Sequence, residues 1–122
     1  MVERGTAFIR DGHVWFVLSD PRHSSGWVLC VNLTTYGAHC YDNECFLTPD
    51  DYDWIKPGHK TVVAFSRAKF YRVDKLEYAL NSGALRQPRQ KQVPIKTVSK
   101  VAIIAKTSKE VSPDMLHILS SN

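Results

Sequence analysis

The sequence predicts an α+β domain built on a small curled antiparallel sheet, with helices gathered at the C-terminal end. Three observations carry this. Short runs of β-branched and aromatic residues fill the first 73 positions. Turn signals separate those runs, and helix-type patterns come only after them. The 122 residues suffice for one core and not comfortably for two, so residues 1–122 read as one domain.

Thr6–Arg10 alternates weakly and reads as a first strand, and Asp11-Gly12 is a strong turn pair. His13–Ser19 (HVWFVLS) reads as a buried strand that Asp20-Pro21 stops, because proline cannot donate to a ladder. Arg22–Gly26 is polar. Trp27–Thr34 (WVLCVNLT) is the return strand of an antiparallel hairpin with a long tip, and such tips often carry function.

Glu44–Thr48 reads as a short strand, and Pro49-Asp50-Asp51 opens a turn that runs to Ile55. Thr61–Ser66 reads as a strand, with Ala68–Val73 as its continuation or partner. Asp74 is a candidate N-cap for a helix to Asn81, and Gly83 a natural stop. Gln87–Pro94 reads as a loop. Thr97 is a candidate cap for a helix over Val98–Lys109, with Val98, Val101, Ala102 and Ala105 on one face; a strand over Val101–Ala105 competes. Ser112-Pro113-Asp114 starts a final helix with an apolar stripe of Met115, Leu116, Ile118 and Leu119.

Composition is that of a globular chain, 43% hydrophobic and 23% charged, so wholesale disorder is excluded. No apolar run is long enough to cross a bilayer, and no signal-peptide stretch is recognisable. A soluble cytoplasmic protein, with no membrane association, is expected. Three cysteines, Cys30, Cys40 and Cys45, argue against a disulfide framework. Cys30 reads as buried and inert. His39, Cys40 and Cys45 match no zinc spacing, so neither a metal site nor a cofactor is expected. The formal charge of +4 is compatible with a nucleic-acid partner. Basic residues from Arg86 to Lys106 read equally as a solvated surface and as a phosphate-tracking one.

The run GHVWFVLSDPRHSSGWVLCVNLTT (Gly12–Thr35) resembles the opening hairpin of the PemK/MazF toxins of type II toxin–antitoxin systems. There an apolar "VVLS" strand leads into a long loop, and the return strand ends in a small polar pair. Here these features are Phe16–Ser19, Asp20–Gly26 and Thr34-Thr35. The Val62–Arg67 strand and the SPDMLHIL helix (Ser112–Leu119) occupy corresponding places. The resemblance implies an SH3-like barrel, often homodimeric. It also implies a growth-inhibiting, metal-independent endoribonuclease that cuts single-stranded RNA and is neutralised by a cognate antitoxin. One departure stands out: where the family has its catalytic arginine followed by proline, this chain has His13 followed by Val14.

Metal-free RNA cleavage needs a base for the 2′-hydroxyl, an acid for the departing 5′-oxygen and a cation at the crowded phosphorane. His13 is the candidate acid or base, against a plain surface histidine after a turn. Thr35, or Thr34 if the register slips by one, is the candidate phosphate-positioning hydroxyl, against a strand-end residue satisfying a turn. Arg67 is the candidate cation, against a surface arginine. Arg22 and His23 on the hairpin tip are candidate RNA contacts, against a solvated loop. Trp15 reads as core, while Trp27 and Trp54 stay open between core packing and base stacking. Asp50, Asp51 and Asp53 read as turn or helix-start acids. A non-catalytic SH3-like module that binds RNA or a protein is the competing expectation.

Overall fold

The structure, a computed structural model, describes residues 1–22, 26–37 and 39–120. Among them six strands come first: β1 (Ala7–Arg10), β2 (His13–Val17), β3 (Trp27–Thr35), β4 (Phe46–Leu47), β5 (Thr61–Val63) and β6 (Lys69–Arg72). A 3₁₀ turn, Phe65–Arg67, separates β5 from β6. Helices α1 (Val73–Asn81), α2 (Ile95–Ala105) and α3 (Pro113–Ser120) follow. The pairings are antiparallel, in the order β1-β2-β3-β5-β4, with β6 also on β3. The chain is therefore α+β, strands before helices. Among the described residues β1 and β4 do not pair, so ladder bonds do not close the sheet. No described helix is long and apolar enough to cross a membrane.

Asp11 and Gly12 both take positive φ, 53° and 78°, and turn β1 into β2 with Arg10 opposite His13. Positive φ at both central residues matches the right-handed twist of paired strands. β2 then pairs with β3 from Val14↔Leu33 to Val17↔Cys30. Where Asp20-Pro21 ends the ladder, the buried Ser19 takes over: its hydroxyl oxygen accepts the Leu29 amide at 2.8 Å.

Period-2 alternation splits the apolar runs between two cores. Val14, Phe16, Leu29, Val31 and Leu33 face α2 and α3, through Val98, Val101, Ala105 and Leu119. Trp15, Val17, Val28 and Cys30 face the other way, against Leu76 of α1. Both faces are covered, so these strands read as nearly unbroken apolar runs. Burying one such large apolar side chain is worth about 1.5–3 kcal/mol.

Three expectations need correction. Asp74 is not the cap of α1: the helix begins at Val73, Arg72 holds the N-cap position, and no side chain caps it. The Asp74 carboxylate instead accepts from the Lys75 amide and the Arg72 guanidinium, at 2.8 and 3.2 Å. Thr97 is not the cap of α2, which starts at Ile95 after Pro94 and ends at Ala105. Thr97 lies inside the helix and its hydroxyl donates to the Asp51 carbonyl at 2.7 Å. The expected strand Thr61–Ser66 stops at Val63, because the chain must turn to bring β6 onto β3. The Gln87–Pro94 loop covers the outer edge of β1: the Ile9 and Ala7 amides donate to Arg86 and Lys91 carbonyls, each at 2.8 Å. Covering an edge this way leaves no template for unwanted strand pairing.

Gly5 ties this edge to the core. Its amide donates to the Val17 carbonyl at 2.7 Å and its carbonyl accepts from Val93 at 2.8 Å. Its φ is +89°, and a Cβ there would stand 2.8 Å from the Val93 carbonyl oxygen. Gly5→Ala therefore meets both backbone strain and a backbone clash. It is expected to destabilise the fold by about 1–3 kcal/mol, read by urea unfolding. Wild-type stability in this variant would show that the 5–93 contact relaxes freely.

Candidate functional site

A cleft of about 470 Å³ lies where β2, β3 and β5 end together. The strands supply His13, Thr34, Thr35 and Thr61 to its lining. His13 is the first residue of β2, half-buried beside the Asp11-Gly12 turn. Thr35 is the last residue of β3, exposed and paired with Thr61. Adjacent strand residues face opposite sides, and this separates the two threonines. Thr34 is buried and its hydroxyl donates to the Asn32 side-chain carbonyl at 2.9 Å. Thr35 is thus the threonine of the pair whose hydroxyl makes no hydrogen bond among the described residues.

The 3₁₀ turn brings Arg67 to the same cleft. Its guanidinium donates to the His39 carbonyl at 2.6 Å, and His39 also lines the cleft. The turn is held from outside by Asp42, whose carboxylate accepts the Ser66 amide at 2.9 Å and the Ser66 hydroxyl at 2.7 Å. The Cys40 thiol reaches the same carboxylate at 3.5 Å. Burial works against this charge, but the Ser66 hydroxyl and amide, the Cys40 thiol and the Arg67 cation outweigh it. The Asp42 carboxyl therefore stays below the ordinary carboxylate range.

The remaining wall is the segment from Trp54 to His59, which contributes Trp54, Ile55, Lys56 and His59. Its foot is fixed. Tyr52 and Ile55 are buried in the main core, and the Tyr52 hydroxyl donates to the Gln90 carbonyl at 2.5 Å. Burial pushes the Tyr52 phenol up to about 12, so this donor stays protonated at neutral pH. Asp51 accepts the Thr48 amide at 2.8 Å and lies 3.5 Å from the Lys100 ammonium, which is the turn role expected of these acids.

The cleft lining contains Arg67, Lys56, His13, His39 and His59 and no carboxylate. Among the described residues, the side chains of His13, Thr35, Lys56 and His59 make no hydrogen bond or ion pair. Such a surface attracts anions, and the threonine hydroxyls add donors suited to phosphate oxygens. Lys60, next along, is turned away over the Tyr36 and Phe46 rings at 5.3 and 5.2 Å.

Sequence reasoning thus singled out His13, Thr35, Arg67 and Thr34, and the fold gathers all four around one cleft. It missed His39, Lys56 and His59 as cleft residues, since none sits in a periodic run. Arg22 is not brought there: it lines a separate hollow beside Met1–Arg4 and forms a two-pronged pair with Asp20, at 3.1 and 2.8 Å. His23 lies outside the described residues. Cys30, Cys40 and Cys45 are free and buried, and burial drives the Cys30 thiol pKa up. Among the described residues no three His, Cys, Asp or Glu side chains converge as metal ligands do.

Compared with protein-family models, curated proteins and solved structures, the chain gives no significant match.

A carboxylate whose folded pKa is lowered stabilises the fold above its unfolded pKa, and loses that contribution as pH falls through the folded value. Asp42→Asn is accordingly expected to be less stable than wild type at pH 7 by about 1–2 kcal/mol, the scale for partly exposed hydrogen bonds to a charge. The gap should begin to narrow as the pH drops below about 4 and close as it passes the lower, folded-state value, where the wild-type carboxylate is protonated. Denaturant titrations of both proteins from pH 7 to pH 3 read this directly, and a pH-independent gap would remove the charge from the account.

Proposed function

We propose that this chain is the toxin of a toxin–antitoxin pair, a metal-independent endoribonuclease of the PemK/MazF type acting on single-stranded RNA. The observation that carries the reading is the cleft: two permanent cations, three histidines and two exposed or half-exposed threonines line one hollow with no carboxylate among them. The Gly12–Thr35 resemblance points to the same chemistry, and the antiparallel sheet then reads as a curled SH3-like barrel. A homodimer, a cognate antitoxin and a cytoplasmic site of action belong to this proposal.

The chemistry follows from the residues. The RNA 2′-oxygen attacks the adjacent phosphorus as its proton passes to a base. The P–O5′ bond breaks as an acid protonates the leaving oxygen. The products are a 2′,3′-cyclic phosphate and a 5′-hydroxyl, and no electrons or water are consumed in this step. His13 carries one of the two protons, and His39 or His59, which also line the cleft, carries the other. Arg67 stabilises the phosphorane, its planar fork having one arm fixed by the His39 carbonyl. The Thr35 hydroxyl orients the phosphate.

One observation favours a second reading, a non-catalytic barrel that binds RNA or a protein: His13 stands where the family it resembles has arginine. A barrel can keep its fold and its basic surface after losing its chemistry.

Incubating the purified protein with a long single-stranded RNA in EDTA separates the two. Discrete cuts ending in cyclic phosphate are expected. His13→Ala should slow cleavage by roughly 10²- to 10⁴-fold and Arg67→Ala by roughly 10²- to 10³-fold. Arg67→Lys should rescue poorly, since an ammonium cannot reproduce the fork. Intact RNA with folded protein would move the assignment to the binding module.

A further inference from the structure

The cleft holds one large side chain that phosphate chemistry does not use. Trp54 lines it and is 44% exposed. Leaving that share of a tryptophan outside the core forgoes a sizeable part of the stabilisation its ring could give, so its presentation calls for a cause. Its backbone is held on both sides. Tyr52 and Ile55 are 2% and 4% exposed, the Tyr52 hydroxyl is bonded to Gln90, and the Ile55 amide donates to the Tyr52 carbonyl at 3.2 Å. Behind them Thr97 of α2 fixes the Asp51 carbonyl. The ring is thus displayed from an anchored turn, and it makes no aromatic or cation contact among the described residues. Trp15 is buried between Phe8 and Tyr71, and Trp27 lies beneath the Arg72 guanidinium, so the other two tryptophans are engaged.

Around Trp54 the cleft is basic: Lys56 and His59 follow it on the same wall, with Arg67 also in the lining. An aromatic face among cations free of carboxylates suits a flat ring system linked to phosphates. We propose that Trp54 is the stacking platform of a nucleobase subsite, taking one unpaired base of the nucleotide chain whose phosphate sits at Thr35 and Arg67. Lys56 and His59 hold the neighbouring phosphate. This rests on reading the cleft as an RNA site and adds what selects the strand. A base paired in a duplex has both faces covered by its neighbours, so a stacking platform admits single strands and rejects duplexes. Because every base has a π-face, the platform confers strand selectivity with little base preference.

The test uses the full chain and a 2′-O-methyl oligonucleotide, which binds but lacks the nucleophile. Binding should quench tryptophan fluorescence in the wild type and leave the Trp54→Phe signal nearly unchanged. Trp54→Ala should weaken single-strand affinity on the order of tenfold or more, whereas Trp54→Phe should keep most of it. The same sequence as a duplex should bind weakly to all three. Melting curves establish that each variant is folded. Wild-type affinity in Trp54→Ala, or equal losses in the alanine and phenylalanine variants, would overturn the subsite while leaving the RNA reading standing. No single-strand binding by the wild type would overturn both.

Discussion

Strand β3 spans nine residues, while the strands on its flanks span three to five. One edge of β3 meets β2. The other edge is too long for either remaining partner, so it is shared, with β6 along Trp27–Cys30 and β5 along Leu33–Thr35. Between them the chain has to leave the ladder and return, and it does so in the Phe65–Arg67 turn, with the Ala64 amide still reaching the Asn32 carbonyl at 2.9 Å. Arg67 stands at the cleft because of this break. Phe65 is buried in the main core and Ser66 is bonded to Asp42, so the turn is fastened from inside and from outside.

Covering both faces of the sheet has a second consequence. Helices α2 and α3 occupy one face and α1 the other, and the ends of β2, β3 and β5 are left to loops. A rigid strand end flanked by anchored loops is a good place to hold polar groups at fixed separations, because the scaffold has already met the entropy of ordering them. Here the loops are fastened by polar contacts of long sequence range: Thr97 to Asp51, Tyr52 to Gln90, Asp42 to Ser66.

The acids explain the charge of the cleft as much as the bases do. Asp42, Asp51 and Asp20 accept hydrogen bonds from turns and neighbouring cations, and none of them lines the hollow. A net charge of only +4 is thereby sorted into a local field of one sign. Such sorting focuses potential where low-dielectric walls exclude water.

By itself the sequence determined the element order, the β2–β3 hairpin, the Asp11-Gly12 turn and the start of the last helix. These depend on local rules: period-2 burial, positive φ at a glycine, and proline after a capping serine. His13 and Thr35 were singled out through the resemblance carried by Gly12–Thr35, which left Thr34 as the alternative one position away. Arg67 was legible only as the residue after a strand. The tertiary structure decided the rest. Helix α2 begins at Ile95, after Pro94, and Thr97 sits inside it with its hydroxyl donating to the Asp51 carbonyl, 46 positions away. His39, Trp54, Lys56 and His59 carry no periodic signal. They meet His13 and Arg67 only because the shared edge of β3 folds distant loops onto one strand end, and pairing of that range leaves no mark on the local sequence.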